Sequence, residues 1–333
     1  MFSKELFKAF EGKKVLICGA SGLSGHNLFD LMEVLGAKVT GTCLTDQAFT
    51  ADDRPMFKVV DFTLPVDVRY LFQNDKFDYV FICCAQTYNA AMCKDNPQMM
   101  ILPNIEMVSN ILEASLQSGV KKVLFVSSAT VYQPHTEPIA EKDLNLNLNP
   151  HPLYLGVGWT KRYLEKLCEF YSTRGLKTVV VRPTNIYGAY DKTDPKLCHV
   201  VPALIMRGLN EENPYVLRSL GDGTKNFIHA HDLTRDMAKV MAFHETPDPI
   251  NLTSDEYFTI GQVVDQLIDI FKARTPGYKP HVRFEGTNDA VSFVGLNRKK
   301  FDSLYGREPY IPLAKGLKEV VEWYSLSLQT QKR

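Results

Sequence analysis

Three glycines near the start of the chain, Gly19, Gly22 and Gly25, have the type and spacing to do chemistry, G-x-x-G-x-x-G. A strand-like apolar run, Val15 to Ile17, precedes them, and His26 to Met32 after them repeats apolar residues at helical spacing. A strand that turns through glycines into a helix presents unpaired N–H groups at the positive helix end. The missing Cβ atoms let phosphates approach the backbone. With Ser21 and Leu23, the stretch therefore predicts a pyrophosphate cradle for a dinucleotide. No Gly-Lys-Ser/Thr closes the motif, which argues against a nucleoside-triphosphate loop.

The elements that must hold this cradle follow in order. Residues 36–43 read as a second strand. An acid at its tip would hold the adenosine ribose, and a cation there would accept a 2′-phosphate. Cys43-Leu44-Thr45-Asp46 carries no Arg or Lys, which favours NAD and leaves NADP open. Lys58 to Phe62 is a third strand; Asp61 at its end is either an acceptor for the adenine amino group or a surface acid, and Phe62 beside it is a further cofactor contact. Residues 79–86 form a fourth apolar strand ending in small residues, and there Ala85 and Gln86 could lie against a cofactor. A helix is predicted over Ile101–Leu116, a fifth strand over Lys121–Ser128, a helix over Val157–Tyr171 and a strand over Thr178–Arg182. Alternating strands and helices predict an α/β fold with a doubly wound parallel sheet.

Beyond Pro183 the alternation breaks. Helical patterns at His199–Arg207, Ile260–Phe271 and Lys315–Tyr324 are separated by loops rich in Pro, Gly, Asp and Asn. The expected organisation is a dinucleotide-binding domain over residues 1–185, with a return segment near 227–248. A smaller substrate-binding lid would comprise residues 186–226 and 249–333. Ligands in open α/β sheets bind beyond the carboxyl ends of the strands, so the cleft is expected between sheet and lid.

Charge is balanced, with 38 basic and 38 acidic residues and no dense basic run, which argues against nucleic acid as a partner. The seven cysteines are scattered without C-x-x-C spacing and read as reduced core thiols, with no metal site expected. Charges at Lys4 and Glu5 interrupt what a signal peptide would need, and no apolar run approaches membrane-spanning length. The expectation is a cytoplasmic protein that neither spans nor needs a membrane.

Further motifs give the chain a family look. Ser127-Ser128-Ala129-Thr130-Val131-Tyr132 at a strand end precedes Gly158-Trp159-Thr160-Lys161-Arg162-Tyr163, and Arg182-Pro183-Thr184-Asn185-Ile186-Tyr187-Gly188 follows. Leu220-Gly221-Asp222-Gly223-Thr224 and Phe227-Ile228-His229-Ala230-His231-Asp232 come later. Together they resemble the extended short-chain dehydrogenase/reductase family over nearly the whole chain. The resemblance is to its nucleotide-sugar epimerase, dehydratase and reductase branch, in look nearest to GDP-fucose synthases and UDP-galactose 4-epimerases.

That resemblance implies hydride transfer at a carbon of a GDP- or UDP-sugar. The cofactor contacts it implies are Asn104, Lys161 and Pro183 in addition to those above. The substrate contacts are Tyr88, Thr130, Asn185, His199, Val200 and Lys225. It also implies a homodimer through the helices at Ile101–Leu116 and Val157–Tyr171, although the same apolar stripes would serve packing on the sheet. The catalytic set it implies is Ser128 and Lys161, with Thr130 and His199.

In such enzymes the proton is moved by a tyrosine four residues before the lysine, on the same helix face. This chain has Val157 there, and valine can neither exchange a proton nor bond a hydroxyl. Three readings follow. The acid/base group could come from Tyr88, Tyr132, Tyr154, Thr130 or His199. The protein could instead be a silenced sugar-nucleotide-binding homologue with a regulatory or partner role. Or the sequence has been altered at this position. The family's partner for the His199 position is a cysteine near the serine; here it is Thr130, a much weaker acid, which puts paired double epimerisation in doubt. His199 stays open as a catalytic group, as a neutral ring binding the nucleotide or sugar, or as a satisfied core histidine. Lys225 and Arg298 are candidates for the sugar-nucleotide phosphates, with exposed surface charge as the plainer reading of each.

Overall fold

The computed structural model describes residues 2–45, 57–87, 96–192, 194, 198–217, 219–286 and 293–331. After a short helix α1 (Lys4–Phe10), the strands β1 (Lys14–Cys18), β2 (Lys38–Cys43), β3 (Lys58–Val59) and β4 (Tyr79–Ile82) alternate with helices α2 (Leu23–Val34) and α3 (Pro65–Asn74). Helix α4 (Leu102–Gln117), strand β5 (Lys122–Val126), helix α5 (Leu155–Thr173) and strand β6 (Lys177–Pro183) continue the pattern. The seven-stranded sheet runs β3-β2-β1-β4-β5-β6-β10, parallel throughout, with β10 (Ile250–Leu252) beside β6. The strand order reverses between β1 and β4, where an open α/β sheet forms its binding crevice.

Alternation along the strands builds two cores. Val15 and Ile17 of β1 join Phe81, Leu124, Val179 and Val181 under α2 on one face. Leu16 and Cys18 join Val80, Ile82, Val123, Phe125 and Val180 under α3, α4 and α5 on the other. Both sets are inaccessible to solvent or nearly so. This explains the uninterrupted apolar runs: a parallel strand covered by helices on both faces has no polar side.

The lid begins at β7 (Asn185–Tyr187), which pairs in parallel with β9 (Thr224–His229). The lid sheet also holds β11 (Tyr257–Thr259) and β13 (Phe293–Val294), and a two-stranded sheet pairs β8 (Tyr215–Leu217) with β12 (Val282–Phe284). Helices α6 (Val200–Leu209), α8 (Ile260–Arg274) and α10 (Leu313–Gln331) pack through Val201, Leu204, Val264, Leu267, Leu317 and Val321 into a third core. Helix α8 starts with a reciprocal cap between Thr259 and Gln262, the S/T-x-x-E/Q device that satisfies two orphan N–H groups. Between β9 and β10, helix α7 (Ala230–Phe243) returns to the main sheet and packs on α2. Helix α9 (Lys299–Tyr305) brings Phe301 into the same core. Strand β10 then completes the main sheet by pairing with β6.

Several strands stop earlier than their apolar runs. Strand β4 ends at Ile82 because Cys83–Gln86 leave the sheet as a loop whose tip is held by Asn104. The third strand shrinks to Lys58–Val59, since Asp61 bends the chain by accepting bonds from Thr63 N–H and Oγ1. No helix among the described residues is long and apolar enough to cross a membrane. No cluster of three or more His, Cys, Asp or Glu suited to a metal forms among them either.

Candidate active site

The glycine turn separates glycines the fold needs from one that a ligand would need. Gly19 takes φ +82° directly after β1, and a Cβ there would fall 2.7 Å from Cys84 Cα. A Cβ on Gly25 would fall 2.1 Å from the Gly19 carbonyl oxygen. Gly22 is different. It is exposed, and a Cβ there meets nothing nearer than Gly19 O at 3.8 Å. It caps α2 without any side-chain bond to the first-turn N–H groups, and no acid lies in that turn. The first turn of α2 thus has no side-chain cap at its positive end, an arrangement that fits a pyrophosphate. Gly22→Val is expected to keep the melting temperature and lose dinucleotide binding, read by calorimetry. Unchanged affinity would remove the cofactor from this turn.

Other predicted cofactor residues fall around the same crevice. The Asn104 amide is buried and fully used. Its Oδ1 accepts from Gln86 N–H at 2.9 Å, and its Nδ2 donates to Gln86 O at 3.0 Å and Met100 O at 2.6 Å. It therefore shapes the Ala85–Gln86 loop through backbone bonds. Asp61 is half-buried, with one carboxylate oxygen engaged by Thr63 and Phe62 beside it in the core. Pro183 closes β6 opposite Leu252. Asp46 and Tyr88 lie outside the described residues.

At the carboxyl end of β5, Ser128 Oγ accepts from Thr130 N–H at 3.2 Å and opens a single 3-10 turn over Ala129–Val131. Helix α5 comes close to this turn because residue 158 is glycine: a Cβ would fall 2.5 Å from Thr130 O. Thr130 Oγ1 is buried and bonds to nothing among the described residues. Lys161 is buried on α5, donates from Nζ to Val126 O at 2.8 Å and lies 4.6 Å over the Phe125 ring. Burial pulls its pKa from 10.5 to about 8, against the opposing pull of Cys84 and Glu165. Val157, four residues before it, is half-buried on the same helix face.

The sign of the pH effect follows. The Lys161 ammonium is intact below about pH 8 and is lost above it. Cofactor affinity that depends on this charge should weaken from pH 7 to 9.5, and Lys161→Met should flatten the profile, both read by titration. An affinity that rises or stays level with pH in the parent would place the lysine outside the cofactor site. For the fold the sign is opposite. The folded state binds fewer protons between about 8 and 10.5, so this group's contribution to stability grows with pH there.

Behind Ser128 a buried network fixes the floor. Arg182 Nε and Nη2 grip Glu165 at 2.9 and 2.6 Å, while Ser127 Oγ donates to the same carboxylate at 2.5 Å. Arg182 Nη1 donates to Tyr132 OH at 2.8 Å, and that phenol donates to Asn251 Oδ1 at 2.7 Å. Tyr132 is 2% exposed, and burial drives its pKa up. It is a strut, unsuited to exchanging protons with a substrate. Tyr154 stands at the N-cap of α5, seven residues before Lys161 and so two turns away on its face, with the His151 ring 6.1 Å off.

On the lid side, Lys225 of β9 is pulled to about 8 by burial. His151 is held below its ordinary value by burial and then by the Lys225 charge, which keeps the ring neutral. Asn185 Nδ2 donates to Asn226 O at 2.9 Å. Arg298 is neither a surface charge nor unengaged: it is 5% exposed, donates from Nε to Asp302 Oδ1 at 2.9 Å and lies 4.0 Å from the Tyr310 ring centre.

His199 caps α6, with Val200 as the first helical residue. Its Nδ1 lies 3.2 Å from both oxygens of Asp191, a buried carboxylate. The segment bearing Asp191 is tied to α2. Asn27 Nδ2 of α2 donates to Ala189 O at 3.1 Å, and Tyr190 stacks on His26 at 3.6 Å between ring centres. Lys192 Nζ donates to Thr87 O at 2.7 Å, just past the β4 loop. Asp191 and Cys84 were missed in the sequence. An acid eight residues before a histidine carries no pattern, and Cys84 reads as one more apolar strand residue.

Fold and crevice are those of an extended short-chain dehydrogenase/reductase, and the chain belongs to the NAD-dependent epimerase/dehydratase family, whose model matches residues 15–253. Among its relatives is a probable GDP-L-fucose synthase 1 of Oryza sativa subsp. japonica, 27% identical over 96% of this chain and 94% of that protein. Solved structures with the same fold include a UDP-glucose 4-epimerase of Thermotoga maritima, bound to UDP-glucose. It has a TM-score of 0.83 at 23% identity and covers 95% of this chain and 99% of its own. A GDP-L-fucose synthetase of Naegleria fowleri bound to NADP has a TM-score of 0.80 at 23% identity, covering 96% of each chain.

Proposed function

We propose that the protein oxidises, reduces or epimerises a nucleotide-activated sugar at a carbon bearing a hydroxyl or ketone, with His199 as its proton-transfer group. GDP-sugars are the first substrates to try, given the fucose synthases among the relatives. The open cradle at Gly22 fits a dinucleotide, and bound NAD(P) supplies or accepts the hydride. Lys161 holds the nicotinamide ribose, and Ser128 Oγ bonds the reacting sugar oxygen. The diphosphate of the sugar nucleotide lies near Lys225. Cys43-Leu44-Thr45, without a cation, favours NAD over NADP.

The observation that carries the reading is the pairing of His199 with buried Asp191, on a segment braced against α2 and Thr87. Of the tyrosines that could replace the one missing at 157, Tyr132 is locked in the Arg182 network and Tyr88 lies outside the described residues. The thiol partner of the family is Thr130 here, so proton transfer at a carbon beside a ketone would rest on one base. Incubation with NAD or NADP and a panel of nucleotide sugars and their keto forms, followed by nicotinamide absorbance and product mass, tests the reading. Turnover of a sugar nucleotide supports it. Binding without turnover on every substrate would favour a silenced homologue.

A further inference from the structure

We infer that Asp191 is a positioning residue for His199: it fixes the neutral imidazole with its proton on Nδ1 and presents Nε2 as the proton-accepting atom. The role rests on His199 being the proton-transfer group, as proposed above. The geometry is specific. Both carboxylate oxygens lie 3.2 Å from Nδ1, and a carboxylate can only accept, so the bonded nitrogen must carry the hydrogen. The imidazole is 45% exposed while the carboxylate is 4% exposed, so the pair has a buried holder and an accessible working end.

Asp191 is itself held. Lys192 N–H donates to Oδ1 at 2.8 Å, and Tyr324 OH of α10 donates to the Asp191 carbonyl at 3.2 Å. Directly before it, Tyr190 has φ +68°, a left-handed conformation that a bulky residue rarely adopts. Its ring lies flat on His26 in the first turn of α2 and edge-on to Trp323 of α10. Such strain persists where surrounding contacts over-determine it. Here those contacts run from the cofactor helix to the lid and fix the direction of the Asp191 side chain. Cys198 precedes the imidazole and is buried, and its N–H donates to Asp194 O, so the backbone on that side is held as well.

Nitrogen-15 NMR of the histidine rings reads the tautomer without any substrate. His199 in the parent, assigned by loss of its signals in His199→Asn, is expected to carry its neutral proton on Nδ1. In Asp191→Asn the Oδ1 can still accept from Lys192, but the amide now donates to the ring, so the proton should move to Nε2. With an active substrate, kcat should fall about 10²-fold or more, with cofactor affinity and KM little changed. A parent ring protonated on Nε2, or an Asn variant that keeps the Nδ1–H form, overturns the assignment. The parent measurement stands even if the variant folds poorly. A flipped tautomer with unchanged kcat overturns the catalytic consequence. His199→Asn then separates the causes: if it is impaired, the Asp191 assignment alone has failed; if it too is unimpaired, the reading of His199 has failed.

Discussion

His199→Asn is expected to lower turnover of a keto-sugar nucleotide by about 10²–10⁴-fold, the usual worth of a positioned general acid or base. KM and dinucleotide affinity should change little, because the cradle at Gly22 and the Lys161 ammonium remain. Asparagine keeps a polar group of similar reach at the N-cap of α6 but cannot gain and lose a proton. A kcat within a few-fold of the parent, measured by stopped-flow nicotinamide absorbance, would move the proton-transfer role to another residue, with Tyr154 next in line.

The second large effect concerns stability. Glu165→Ala should destabilise the fold by about 3–5 kcal/mol, because it leaves the Arg182 guanidinium buried without its counter-charge. Glu165 and Arg182 are 7% and 4% exposed at the side chain, so water cannot take over the lost bonds. The loss should extend to the site, since Ser127 Oγ and Tyr132 OH join the same network next to Ser128. Chemical denaturation should show a lower midpoint. A change below about 1 kcal/mol would mean that the pair behaves as a surface salt bridge does.

Much of this was legible in the chain before any coordinates. Val15–Ile17, Tyr79–Ile82 and Val123–Val126 read as doubly covered strands because every residue is apolar, and the parallel sheet requires that. The glycine spacing marked the turn from β1 into α2, and Gly158-Trp159-Thr160-Lys161 marked the helix that carries the lysine. Sequence could not tell that Gly19 and Gly25 serve packing while Gly22 faces open space, since that depends on which atoms lie opposite. It could not distinguish a catalytic Tyr132 from a structural one either, because its partners Arg182 and Asn251 are distant in the chain. Arg298 looked like surface charge for the same reason: Tyr310, which it stacks on, lies on a later loop. The lid strands are only two to six residues long, too short for a period-two pattern to register. The Asp191–His199 pair depends on a left-handed turn at Tyr190 that residue type alone argues against.

The central claim is that proton transfer has left position 157 while Lys161 and Ser128 stay in use. The most direct test is the rate of hydride transfer in Val157→Tyr beside the parent, with the same nucleotide sugar and cofactor. The account predicts a measurable rate in the parent and an equal or lower one in the variant, because the new phenol enters a cleft already served from the lid. A parent inert on every nucleotide sugar, with a variant that gains about 10²-fold or more over it, would contradict the account: the retained lysine and serine would then be waiting for the tyrosine that valine replaced.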